Sequence, residues 1–273
     1  MKALKLRSAF KCIQVIVHEY CQMVWKNLFY RIITRKSASC LHCDFIFSAE
    51  RACRSAEMLK YLGMRQMSCP CDWMTNYSLK TYGQLIFSRT FSLFNTWMEL
   101  PSNHHFRVVQ DMETGMISSH DFLKTSSVDE GMALFHSKMS RRTSALCDRL
   151  EKGKNIGCVM NREEDDDSIR NFCMVLSKKF PHATFKVLNI KSSPGMQGIN
   201  KRTVFESNNV SLYEYTFDDT PANNPEWLGN RDMWLKLILS EFHVKRWKRH
   251  LYPWNFPLLN ELLSSVRHQN IDF

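Results

Sequence analysis

FIFSAERACRSAEMLKYLGMRQMSCPCDW, residues 45–73, is the stretch that decides the fold. Its opening FIFS predicts a short apolar strand, followed by a tight turn and a helix that begins at Cys53. Met58, Leu59 and Leu62 recur at helical spacing, and Gly63 ends the helix. A thiol at a helix start meets free N–H groups and partial positive charge, both of which favour thiolate. Arg51 and Arg54 flank Cys53 and push in the same direction. The reading is a nucleophilic cysteine, set against a plain alternative in which Cys53 is a small buried apolar residue.

Outward from this stretch, a chain of 273 residues can bury a substantial core as one large domain or two small ones. Ten cysteines are scattered without regular spacing, and no cleavable signal is read in MKALKLRSAFKCIQVIVHEY. A reduced, cytoplasmic protein is expected. No run of apolar residues is long enough to cross a bilayer.

The net charge of +10 sits at the ends. Residues 1–36 carry eight Lys or Arg against Glu19 alone, and the stretch from 241 carries five against three acids. The middle is nearly neutral, so no nucleic-acid partner is expected there. Residues 1–36 read as a basic amphipathic helical extension with Trp25, Phe29 and Tyr30. It is suited to an anionic membrane surface or, as the preferred reading, to packing on its own domain or a partner. Residues 37–243 form the domain, and 244–273 a basic and aromatic tail with a short helix near 258–266.

Along the domain, 79–99 reads as a helix. Residues 106–110 and 116–120 read as a hairpin around Asp111-Met-Glu-Thr-Gly115, which puts His120 near a strand end. Helices are expected at 127–152, 165–179 and 231–248, and strands at 155–160, 185–190, 204–206 and 210–217. The sequence 155–190 is therefore a βαβ-like unit with a parallel pair, in an α+β fold with a mixed sheet.

A thiol nucleophile needs an imidazole base and a group to orient it. Cys53 and His120 suit the first two roles. Asp72, Asp121 and Asn161 could each supply the third; Asp72 is preferred, with helix capping as its rival role. Asp121 is disfavoured because strand neighbours point to opposite faces. Cys40, Cys43, Cys69 and Cys71, with His42 near, are poorly spaced for a structural zinc, and no cofactor is expected. The acidic run Glu163–Asp167 reads as a solvated helix start rather than a cation site. Gly195-Met-Gln-Gly198 lacks the helix a nucleotide fingerprint requires, so a sugar-nucleotide enzyme, suggested by the βαβ-like unit, is the third and less favoured reading.

Four segments occur in a telling order: Ser48-x-x-x-x-Cys53, Ser68-Cys-Pro-Cys-Asp-Trp73, His120-Asp-Phe122, and Trp227-Leu-Gly229 before a Trp-containing helix. In this the chain resembles a bacterial and viral family of domains of unknown function regarded as papain-like cysteine peptidases. The resemblance covers roughly residues 44–242, and its specificity lies in the ordered set. It implies a papain-like core, Cys53 as nucleophile, His120 as base, and hydrolase or acyl-transfer chemistry on a peptide or glycoconjugate. Members often accompany surface-polysaccharide genes. The chain departs from the family pattern where Glu50 and Ala52 replace Gly and Asn, and where Cys71 replaces Phe. An acidic side chain at Glu50 would oppose an oxyanion, so a binding or assembly protein on a decayed site is the alternative reading.

Overall fold

Phe45–Ser48 is buried along its whole length because it is a strand of a parallel sheet covered on both faces. The computed structural model describes residues 25, 28–30, 32–102, 105–221 and 226–244. In chain order the elements are β1 (Leu41–Cys43), β2 (Phe45–Ser48), α1 (Arg54–Tyr61), β3 (Met74–Thr75), α2 (Leu79–Ser88), β4 (Trp97–Leu100), β5 (Phe106–Asp111) and β6 (Ile117–Leu123). There follow α3 (Val128–Lys152), β7 (Asn155–Met160), α4 (Asp166–Lys179), β8 (Thr184–Ser192), β9 (Ile199–Glu206), β10 (Val210–Phe217), α5 (Arg231–Glu241) and β11 (Phe242–Val244).

The fold is α+β. A five-stranded sheet has the order β2-β7-β8-β10-β9, parallel except for β9 at one edge. Side-chain alternation divides its core in two. Phe45, Phe47, Cys158 and Val187 pack with α2, α3 and α4, while Ile46, Val159, Leu188 and Phe217 pack with α1 and α5. An antiparallel sheet, β3-β6-β5-β4, is inserted between α1 and β7. β1 and β11 pair in parallel, tying the start of the domain to its end.

The expected βαβ unit is β7-α4-β8, with Asp165 capping α4 through Ser168 N. The hairpin β5–β6 turns at Gly115, whose φ of 76° is open to glycine at no steric cost. Two expectations change. The helix expected at 79–99 ends at Ser88, where Arg89 adopts a left-handed conformation (φ 59°). Beyond it Phe94 N–H donates to the buried Asp111 carboxylate, and Trp97–Leu100 pairs with β5, so tertiary partners override local helical spacing. The helix expected at 231–248 stops at Glu241 because Phe242 and Val244 bury themselves as a strand beside β1.

Trp25, 28–30 and 32–33 are helical, and Tyr30 is buried against α5, with the Lys236 ammonium 5.7 Å from its ring centroid. Ser37 N–H donates to Ser240 O at 3.0 Å, so the extension meets the domain at α5. The rest of the expected amphipathic extension and the tail from 245 lie outside the described residues. Among the described residues no helix is long and apolar enough to cross a membrane.

Candidate active site

The parallel strands end on one edge of the sheet, where open sheets of this kind present their ligand crevice. The turn leaving β2 there is held from below. The carbonyls of Ser48 and Ala49 accept from Tyr82 Oη–H (2.9 Å) and Arg162 Nε–H (2.9 Å), and that of Glu50 accepts from Tyr77 Oη–H. Three successive carbonyls are thus fixed by buried donors, which rigidifies the approach to Cys53. Arg162 is wholly buried at the end of β7, donates also to Tyr77 O at 2.7 Å, and lies 4.5 Å from the Tyr77 ring centroid.

Cys53 is the N-cap of α1, as the sequence implies, but its side chain makes no capping bond. The helix N–H groups are already used. The buried carboxylate of Glu50 accepts from Arg54 N at 2.7 Å and from Ser55 N. The thiol is therefore not lowered, contrary to the expectation from its position. Burial pushes Cys53 up to about 11, and the Glu50 charge adds to the rise. Arg54 does pull it down, but its guanidinium is committed to Asp219 and Trp227 O, while Arg51 reaches Asn76 at 3.5 Å. Burial likewise raises Glu50 to about 6 against the pull of its two N–H donors.

The three expected site residues fall in separate environments. Asp72 is buried and accepts from Ser48 Oγ–H, from Arg65 at 2.5 Å and from Cys69 N at 2.7 Å. It ties β2 to the segment 65–72 rather than orienting an imidazole. His120 lies exposed on β6, edge-on to Trp73 and Phe106 at 6.3 and 6.0 Å between ring centroids. Among the described residues no hydrogen bond joins the Cys53 thiol to an imidazole. The rival third members are also engaged: Asp121 with Ser118 and Lys138, and Asn161 with Ile190 O.

The segments that carry the family resemblance nevertheless meet in space. Ser48 bonds Asp72, Trp73 packs on His120, and Arg54 Nε donates to Trp227 O at 2.7 Å. Cys69 and Cys71 belong to the core on one sheet face and Cys43 to the other. Among the described residues no three His, Cys, Asp or Glu side chains form a group that could hold a metal. In the acidic run, Asp165 caps α4, Asp166 pairs with Arg202, and Glu164 caps α2 through Leu79 N.

Sequence reasoning missed Arg65, Arg142, Arg162 and Asp219. Each is a charge in a turn or on a helix face, with no periodic signal to raise it above its neighbours. The chain matches no protein-family model, no curated protein and no solved structure.

Proposed function

We propose that the chain is a binding or assembly protein on a divergent papain-like frame whose thiol site is closed by its own carboxylate. The observation that carries this is Glu50 on the N–H groups of Arg54 and Ser55. An oxyanion needs such donors free at the moment charge develops. A thiol near 11 is ionised in only about one molecule in ten thousand at neutral pH. The convergence of the Ser48, Asp72, Trp73, His120 and Trp227 segments supports the relationship to the papain-like family. A peptide or glycoconjugate is the class of partner that the relationship implies. The eight described cysteines are free thiols, which suits a reducing compartment such as the cytoplasm.

Alkylation rate against pH, with the modified thiol located by mass spectrometry, tests this reading. Cys53 should react no faster at neutral pH than an ordinary exposed thiol, and His120→Ala should leave its rate unchanged. A Cys53 that reacts at a pH well below that of an ordinary thiol and slows without His120 would instead establish a thiol hydrolase or acyltransferase.

Peripheral contact with an anionic membrane is part of the same proposal. Trp25, Phe29 and Ile32 are 69, 58 and 75% exposed, while Tyr30 is the buried one among the described residues of this helix, in the most basic part of the sequence. The full chain should co-sediment with phosphatidylserine vesicles at low salt, and a Trp25→Ser/Phe29→Ser/Ile32→Ser triple variant should not. Equal sedimentation of the two would refute the contact.

A further inference from the structure

One face of α3 carries three cations toward the segment 65–73 and β6. Lys138 pairs with Asp121 at 2.5 Å. Arg149 donates to Gln66 at 2.7 Å and lies 5.9 Å from the Phe45 ring centroid. Arg142 stands one turn beyond Lys138 and two before Arg149, so it projects from the same face between two fixed points. Across the seam is Arg65, which bonds Asp72 and lies 5.7 Å from the Trp73 ring centroid.

The carboxylates at this seam are already spent. Asp72 serves Ser48, Arg65 and Cys69, while Asp121 serves Ser118 and Lys138. Arg142 is half-buried, yet among the described residues it makes no hydrogen bond and no ion pair. Across from it, Arg65 Nε is buried without a partner. Burial disfavours the Arg142 charge, and Asp72 and Asp121 act only as more distant counter-charges. The Arg142 guanidinium is only partly withdrawn from water, so its donors are open to a ligand, and its planar fork matches an oxyanion with two oxygens in line.

We propose that this seam binds the phosphate group of a ligand, with Arg142 as the fork and Trp73 as the wall against which the ligand's ring rests. Trp73 is half-buried, so one part of the ring remains open to the C–H face of a sugar or to a flat group. His120 stands at the rim, edge-on to Trp73. The residues that resemble a peptidase signature, Trp73 and His120, thereby acquire a recognition role. This inference deepens the binding reading above and names the chemistry of what is bound.

Thermal unfolding and 31P line broadening of the full chain, with inorganic phosphate and with glucose 1-phosphate against chloride at equal ionic strength, test it. Wild type should show saturable stabilisation and a broadened resonance, with glucose 1-phosphate bound more tightly than phosphate. Arg142→Met should weaken both ligands by roughly tenfold or more, and Arg142→Lys, which keeps charge but not the fork, should fall between. Arg89→Met, which removes an exposed pair with Asp148, should change neither. Trp73→Leu should remove the advantage of the sugar phosphate alone. A phosphate response equal in Arg142→Met and wild type, or none in wild type beyond chloride, would overturn the proposal. Cys53 reactivity is independent of either result, so failure of this site and failure of the closed-thiol reading are told apart.

Discussion

Asp219→Ala is expected to destabilise the protein by about 3–5 kcal/mol, because it strips a buried carboxylate from three donors at once. Asp219 lies just beyond β10 and is 5% exposed. Its Oδ1 accepts from Asn230 N at 2.7 Å and from Trp234 Nε1 at 2.9 Å, and its Oδ2 pairs with the Arg54 guanidinium. Three elements meet on this one side chain: the end of β10, the start of α5 and the first turn of α1. Alanine leaves a buried indole N–H and a helix N-terminal N–H without their acceptor and takes the counter-charge from the largely buried Arg54 guanidinium. Gly229 shows how closely the carboxylate is packed. Its φ is 58°, and a Cβ added there would run into the Asp219 side chain. Urea unfolding of wild type and variant measures the loss. A change below about 1 kcal/mol would mean that solvent takes over these bonds.

Glu50→Gln should remove a pH dependence of stability and wake the neighbouring thiol. The folded state raises Glu50 from its ordinary 4.5 to about 6. Such an acid holds its proton more tightly in the folded chain than in the unfolded one. Its contribution is therefore most favourable below about 4.5 and is lost as pH rises to about 6, after which it stays constant. One and a half pH units correspond to about 2 kcal/mol. Glutamine cannot ionise, so the difference in stability between wild type and variant should change by roughly that amount across this window. The same substitution removes the charge that helps hold Cys53 up, and alkylation of Cys53 should begin at lower pH. Parallel stability profiles for the two proteins would refute the assignment. An unchanged Cys53 profile would show that burial alone sets the thiol.

The fold was most legible where one local signal sufficed. The unit from Asn155 to Ser192 announces itself by continuous apolar runs on either side of an acid-capped helix, as a doubly covered parallel pair requires. α3 begins with a capping box of Ser127 and Glu130, visible in sequence as Ser-x-x-Glu. The bend at Arg89 and the end of α5 were hidden because both are decided by distant partners: β5 for the first and β1 for the second. In the candidate site, Cys53 at the head of a helix could be read directly. Its suppression could not, since nothing in a one-dimensional pattern shows that Glu50 folds back onto the N–H groups of Arg54 and Ser55. The supports of the turn were hidden for the same reason. Tyr77, Tyr82 and Arg162 lie 27, 34 and 113 residues beyond the carbonyls they reach, and each donates to a different carbonyl of one short segment.

Glu50 can also be regarded as a tethered ligand. A carboxylate on a short leash reaches its binding site at an effective concentration in the millimolar range or above, with no entropy of encounter to lose. A free carboxylate or oxyanion seeking the head of α1 competes against that resident group. The balance tilts only when the resident is neutralised by a proton, near pH 6, or removed by substitution. The head of α1 is thus a self-occupied receptor, and acid is the one common reagent that loosens its occupant.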